Sequence, residues 1–366
     1  MTAEQAQLRE CLGRCCLRDP GGTLKSAMKR FGSISAFILM CSSLPILLLA
    51  RVHTPQEENP PPQSVSPDLS GLQLSDVRRF ELEDALRRRD YKRAESILVD
   101  EIEKDPESIR TARLLVLVGG AFFLDSDFQN SVTAWKKAEA IAPLDDRTRF
   151  TLAMAYVKLN RRDWARPELE KLATTHPQDP LFLYWLARLD FDAQNYQPAI
   201  ARLQSVLALD PKMMRAYDTL GLCYDYLGQF HEAIQSYDRA VELNRLQSKP
   251  SPWPHLDRAI SLISLNQLVE AEKNLHEALA YDPRLPQAHY HLGRVLEMQG
   301  GYRAAVQSLN QAIELNSSYP EPHYLLGRIY HRLGEDQLSR KEIAQFQQLK
   351  KAIEAQPASK SSSSLN

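Results

Sequence analysis

An all-α repeat array of about eight helix pairs is the fold the sequence predicts, and three observations predict it. Apolar residues recur at three- and four-residue steps through residues 75–355, the period of amphipathic helices. Small residues return at two fixed places in a frame whose commonest step is 34 residues. Glycine is scarce, 14 in 366 residues, while Ala, Leu, Arg and Glu abound, which suits helices better than sandwiches or barrels.

The stretch Arg215 to Asn244 sets the frame. It carries Tyr217, Leu220, Gly221, Tyr224, Gly228, Phe230, Ala233, Tyr237 and Ala240, two helical segments hinged at Leu227, Gly228 and Gln229. With Met214 as first position, units begin at Ser75, Ala112, Asp146, Pro180, Met214, Pro252, Pro286 and Pro320. The eighth position reads Leu82, Gly119, Ala153, Ala187, Gly221, Ala259, Gly293 and Gly327; the twentieth reads Ala94, Ser131, Ala165, Ala199, Ala233, Ala271, Ala305 and Ser339. Small side chains at both places let two helices touch, where a larger one would hold them apart. Pro106, Pro143, Pro177, Pro211 and Pro283 close their units, ending one helix before the next. The chain resembles the tetratricopeptide repeat (TPR) family, whose W-LG-Y-A-F-A-P skeleton residues 215–244 match except at the last proline. The resemblance implies a right-handed superhelix with a concave groove that binds proteins or peptides, lined by first-helix positions 2, 5, 9, 12 and 13.

Ahead of the array, residues 1–30 form a basic segment with Arg9, Arg14, Arg18, Lys25, Lys29 and Arg30. Residues 31–50, FGSISAFILMCSSLPILLLA, follow without a charge and as a helix would reach roughly 30 Å, enough to cross a bilayer core. The basic excess on the N-terminal side keeps residues 1–30 in the cytoplasm and sends the rest across. Two readings of this hydrophobic helix stand. It is an uncleaved signal anchor, giving a single-pass protein with an extracytoplasmic array, or a signal peptide cut near Ala50, giving a secreted or periplasmic one. Leu48 and Ala50 form a poor small-x-small cleavage site, which favours the anchor. Residues 51–74, with Pro55, Pro60, Pro61, Pro62 and Pro67, read as a disordered linker that holds the array off the membrane.

At the array's far end EDQLSRKEIAQFQQLKK keeps a helical period through Leu338, Ile343, Phe346 and Leu349, as a polar-faced capping helix. Residues 356–366 read as a disordered tail. Pro167 and Pro198 fall in second helices, expected within their first turns. Residues 249–254, KPSPWP, make a long turn between units.

Several function classes are disfavoured. A net charge of −1 gives no basic field for nucleic acid. Of five cysteines only Cys223 lies in the array, and none forms a C-x-x-C pair. There is no phosphate-binding glycine loop, G-x-S-x-G or H-E-x-x-H, so neither an enzyme, a cofactor, a metal site nor a small-molecule substrate is expected. His255, His289 and His323 share the fourth position of their units and read as packing residues.

Groove positions carry the functional expectation. Positions 5 and 9 give Tyr184 and Arg188, Tyr290 and Arg294, and Tyr324 and Arg328, a four-residue step that lets ring and guanidinium stack on one helix face. Arg328 is reinforced by His331 and Arg332. Such a wall suits an extended peptide with acidic or carboxylate groups. Units two, three and six place Val116, Phe123, Phe150, Met154, Leu256 and Ile260 there, an apolar floor for an amphipathic segment. Alternatively, the arginines pair with Asp192, Glu297 or Glu321 and only solvate the groove. The lysines and asparagines of the family's chaperone-tail clamp are absent from positions 5 and 9. The function expected is a membrane-tethered scaffold, an envelope assembly factor or co-chaperone. A non-catalytic subunit of an enzyme complex or a self-associating array is the alternative.

Overall fold

The computed structural model describes Leu69, residues 72–104 and residues 108–355, all within one compact unit, Pro55–Asn366. The basic segment, the hydrophobic segment 31–50, most of the linker, Pro106 and the tail lie outside the described residues. No helix among the described residues is long and apolar enough to cross a membrane.

Sixteen helices and no strand make up the described residues, and they fall into the eight pairs that the small-residue frame marks out. They are α1 (Asp76–Arg88) with α2 (Tyr91–Ile102), α3 (Ile109–Leu124) with α4 (Phe128–Ile141), and α5 (Asp146–Lys158) with α6 (Arg162–Thr175). Next come α7 (Pro180–Asp192) with α8 (Tyr196–Leu209), and α9 (Met214–Tyr226) with α10 (Phe230–Asn244). Then follow α11 (Trp253–Ser264) with α12 (Leu268–Tyr281), α13 (Pro286–Met298) with α14 (Tyr302–Leu315), and α15 (Pro320–Arg332) with α16 (Asp336–Ala355).

Helix starts are chemically marked. Ser75, Asp90, Ser108, Asp127, Asp145 and Asp179 each accept a backbone N–H two or three residues on, satisfying donors the helix cannot. The turn inside each pair is also fixed. Its fifteenth position has a left-handed backbone in all eight pairs, at Arg89, Ser126, Asn160, Gln194, Gly228, Asn266, Gly300 and Gly334. Only three of these are glycine, so the turn is imposed by packing of the pair more than by the residue that makes it. Pro198 falls in the first turn of α8, but Pro167 does not fall in that of α6. That helix starts at Arg162, one residue before the expected Asp163, so Pro167 interrupts its second turn.

Within a pair, the eighth position meets the second helix at its twentieth and twenty-fourth positions. A Cβ on Gly221 would lie 2.5 Å from the Tyr237 ring, and one on Gly119 2.5 Å from Trp135. Where the twentieth residue is serine it finds a partner: Ser131 donates to the Gly119 carbonyl at 2.7 Å and Ser339 to that of Gly327 at 2.8 Å. Between pairs, buried carboxylates tie successive helices. Asp190 accepts from Arg166 of α6 and Arg202 of α8, both at 2.7 Å, and Glu101 from Arg110 at 2.5 Å. Asn244 clasps the Ser251 backbone in both directions, pinning the long turn before α11.

One expected boundary is corrected. Leu69, Leu72 and Leu74 belong to the buried core, and Arg110 Nε donates to the Leu72 carbonyl at 2.8 Å. The end of the Pro-rich linker is thus part of the array, because its leucines cover apolar surface beside the first pair.

Each helix packs on the next in the chain. From α7 onward the first helices of successive pairs also lie against one another, α7 on α9, α9 on α11, α11 on α13 and α13 on α15. Second helices make no comparable contact, and neither do α1 with α3, α3 with α5, or α5 with α7. First helices therefore form the inner layer, closely stacked in the second half and spread in the first.

Candidate protein-binding groove

The close stacking of α7 to α15 decides which expected groove residues remain accessible. Tyr184, Arg188, Leu256 and Tyr290 are buried between neighbouring helices, each less than a tenth exposed. Phe150 is half-buried, its ring 5.7 Å from that of Phe182 and 6.5 Å from Trp185. Tyr324 is half-buried against Phe346 of α16, Arg294 is half-buried, and Arg328 is exposed.

The expected stack of tyrosine on arginine within one helix is not what forms. The Arg188 guanidinium lies over Phe191 at 5.8 Å, and the Tyr184 ring is covered at 4.7 Å by Arg215 of the next first helix. The reason is spacing: with α9 pressed on α7, the nearest cation to Tyr184 comes from the neighbouring pair. Arg188 approaches Asp192 at 3.9 Å and Arg328 approaches Glu297 at 3.1 Å, pairings also open from the sequence.

A buried polar seam runs between these first helices. Asp225 of α9 accepts from Tyr237 at 2.9 Å and from Ser261 of α11 at 2.6 Å, joining three helices. Asp218 is buried beside Arg188, and its Oδ1 has no hydrogen-bond partner among the described residues. Burial pushes its carboxyl up to about 7, with Arg188 pulling it back. The folded chain thus holds this proton at pH values where the unfolded chain has released it, so the group's cost grows as pH rises from about 4 to about 7 and then levels. Asp218→Asn should unfold at a higher temperature than the parent at pH 8, with the gap closing as pH falls to 4; thermal denaturation across that range checks this. Cys223 nearby is fully buried, its thiol pushed up to about 12 by burial, and is chemically quiet.

At the C-terminal end the wall is open. Glu297 on α13 is 4% exposed and its Oε1 receives both Arg328 Nη2 at 3.1 Å and Arg332 Nη1 at 3.0 Å. Arg332 also donates to Tyr302 Oη at 3.4 Å and lies over that ring. One buried carboxylate thus fixes two guanidiniums one turn apart, and the trio keeps one positive charge. Both arginines remain over two-fifths exposed, so most of their fork-shaped donors stay available to a carboxylate. Tyr302 sits at position 17 of its unit, outside the groove set; Asp218 is at groove position 5 of its own, and nothing in the pattern marks its burial.

Of the three fourth-position histidines, His255 and His323 are buried, while His289 is half-buried with Nε2 3.0 Å from the Pro283 carbonyl. His255 is buried with Nδ1 3.4 Å from Asn274 Oδ1, and His323 Nδ1 sits 2.6 Å from Glu342 on the second helix of its pair. Among the described residues no three His, Cys, Asp or Glu side chains group to hold a metal ion.

Comparisons with known proteins agree on the repeat. The family model "TPR repeat" matches residues 298–334, and that of "Anaphase-promoting complex, cyclosome, subunit 3" matches residues 168–240. The chain is 31% identical over 133 residues to the cytochrome c-type biogenesis protein CycH of Rhizobium meliloti (strain 1021), which covers 36% of this chain and 33% of that protein. It is 25% identical over 116 residues to Superkiller protein 3 of Schizosaccharomyces pombe (strain 972 / ATCC 24843), covering 32% and 8%. The matches thus span a third or less of these curated relatives. Among solved structures, the APC/C hetero-tetramer Cut9-Hcn1 aligns with a TM-score of 0.53 at 17% identity, over 71% of this chain and 50% of that one. The type IV pilus biogenesis factor PilW aligns at 0.51 and 19% identity, over 57% and 98%. Both show the fold alone. The repeats of this chain are of the tetratricopeptide type.

Proposed function

We propose that this tetratricopeptide-type array is a non-catalytic scaffold that holds acidic protein segments along its first helices. In this reading residues 31–50 tether it to a membrane with the repeats on the extracytoplasmic side. The observation that carries the binding role is the pair Arg328 and Arg332, seated on buried Glu297 with their remaining donors exposed. A guanidinium held in place loses less freedom on binding than a mobile one, so a pre-set pair favours a carboxylate-bearing guest. The similarity to CycH, named for cytochrome c-type biogenesis, favours a task in the assembly of other proteins.

The test is a titration of the full chain with a fluorescent Glu-rich peptide, followed by anisotropy. Saturable binding that weakens with added salt is expected, with no binding of the Lys-rich counterpart. Equal binding of both peptides, or of neither, contradicts the role. For the tether, a topology reporter fused after Asn366 should be active outside the cytoplasm and should sediment with membranes; cytoplasmic activity overturns the orientation.

A further inference from the structure

The glycines of the array have structural reasons, with one exception. Those inside helices at the eighth position cannot carry a Cβ without striking a side chain of the paired helix, as at Gly119, Gly221, Gly293 and Gly327. Gly228, Gly300 and Gly334 have the left-handed backbone that favours glycine. Gly301 stands at a helix start, with a carbonyl 3.4 Å from where its Cβ would be. Gly120 is in the middle of α3, has an ordinary helical backbone, and a Cβ there would meet nothing within 4 Å. Glycine in a helix interior is destabilising relative to alanine, so this chain carries a cost that its own packing does not explain.

The place of Gly120 explains it. It is the ninth residue of its unit, the position that Arg188, Leu222 and Ile260 occupy where first helices press together. At α3 no neighbouring first helix lies close, and Gly120 is half-buried with room for a side chain, whereas Met154 at the same position of α5 is buried. Val116 and Leu124 stand one turn to either side on the same ridge, half-buried and 45% exposed. A ridge lacking its middle knob is a hole for a knob from another helix. The groove positions of α3 and α5 hold the cations Arg113, Arg147 and Lys158 and no acid, while α1 carries Asp76 and Glu83 at its own groove positions and Asp125 follows Leu124.

We propose that the bare backbone at Gly120, between Val116 and Leu124, seats a bulky apolar side chain of an acidic, amphipathic helix from a partner protein. This rests on the scaffold reading and adds a second, apolar anchor at the opposite end from Arg328 and Arg332.

The test uses the full chain and two synthetic peptides of about 18 residues. One is Glu-rich with Leu or Phe on one ridge; the other has Gln in place of those apolar residues. The ridged peptide should bind at least about tenfold tighter. Gly120→Leu, which fills the hole, should abolish that margin and leave binding of the charge-only peptide unchanged. Gly120→Ala should raise the Tm of the free chain by about 2 °C. A margin that survives Gly120→Leu, or a Tm that falls in Gly120→Ala, overturns the proposal while leaving the scaffold reading intact. Failure of the wild-type chain to bind either peptide overturns both.

Discussion

Replacing Tyr237 by alanine is expected to cost about 3–5 kcal/mol of stability, as loss of a fully buried aromatic generally does. The side chain is 0% exposed and fills the space that Gly221 leaves open, so its removal creates a cavity rather than a dent. The second loss is polar. Tyr237 donates to Asp225 at 2.9 Å, and Asp225 is buried between α9, α10 and α11. Removing a donor from a buried carboxylate costs more than the bond itself contributes. Tyr237→Phe isolates that part and should cost about 1–2 kcal/mol. Because each pair is supported mainly by its neighbours, damage at the fifth pair should let the two halves unfold separately. Denaturant unfolding followed by circular dichroism should then show two transitions in Tyr237→Ala. A single transition at the parent's midpoint would remove Tyr237 as a cross-brace.

The second large effect concerns binding. Neutralising Arg328 and Arg332 should weaken the Glu-rich peptide at least tenfold, about 1.4 kcal/mol. Charged hydrogen bonds contribute about 1.5–3 kcal/mol each, but both guanidiniums are largely exposed and solvent discounts that figure. The variant must be built with care, because Glu297 is buried and would be left without its cations. Arg328→Gln with Arg332→Gln and Glu297→Gln leaves three neutral amides, and should keep the Tm while losing the peptide. Unchanged affinity in that triple variant would show that these arginines only solvate the wall.

The repeat frame was legible in the sequence because its signal is steric. Gly119 against Trp135 and Gly221 against Tyr237 leave no room for another choice, so the residues advertise the contact. The left-handed turn position was less legible: Arg89, Ser126 and Gln194 adopt it without any glycine to announce it. Groove accessibility was not legible at all. Whether Tyr184 faces solvent or is roofed by Arg215 depends on how closely α9 approaches α7, a distance set by many side chains together. The same limit explains Leu69, Leu72 and Leu74, whose prolines and polar neighbours mark a linker while their own burial depends on the first pair. Buried Asp218 carries no mark in the one-dimensional pattern, since exposed aspartates occupy helices equally well.

The most direct measurement of the scaffold role is photo-crosslinking in cells from single positions of the full chain. A photoreactive phenylalanine analogue would replace Leu124 and Tyr324 on the first-helix face, and Gln204 and Gln307 on exposed faces of second helices. Adducts of discrete mass with other proteins are predicted from Leu124 and Tyr324 and not from Gln204 or Gln307. Adducts arising only from Gln204 and Gln307, or from none of the four, would contradict binding along the first helices.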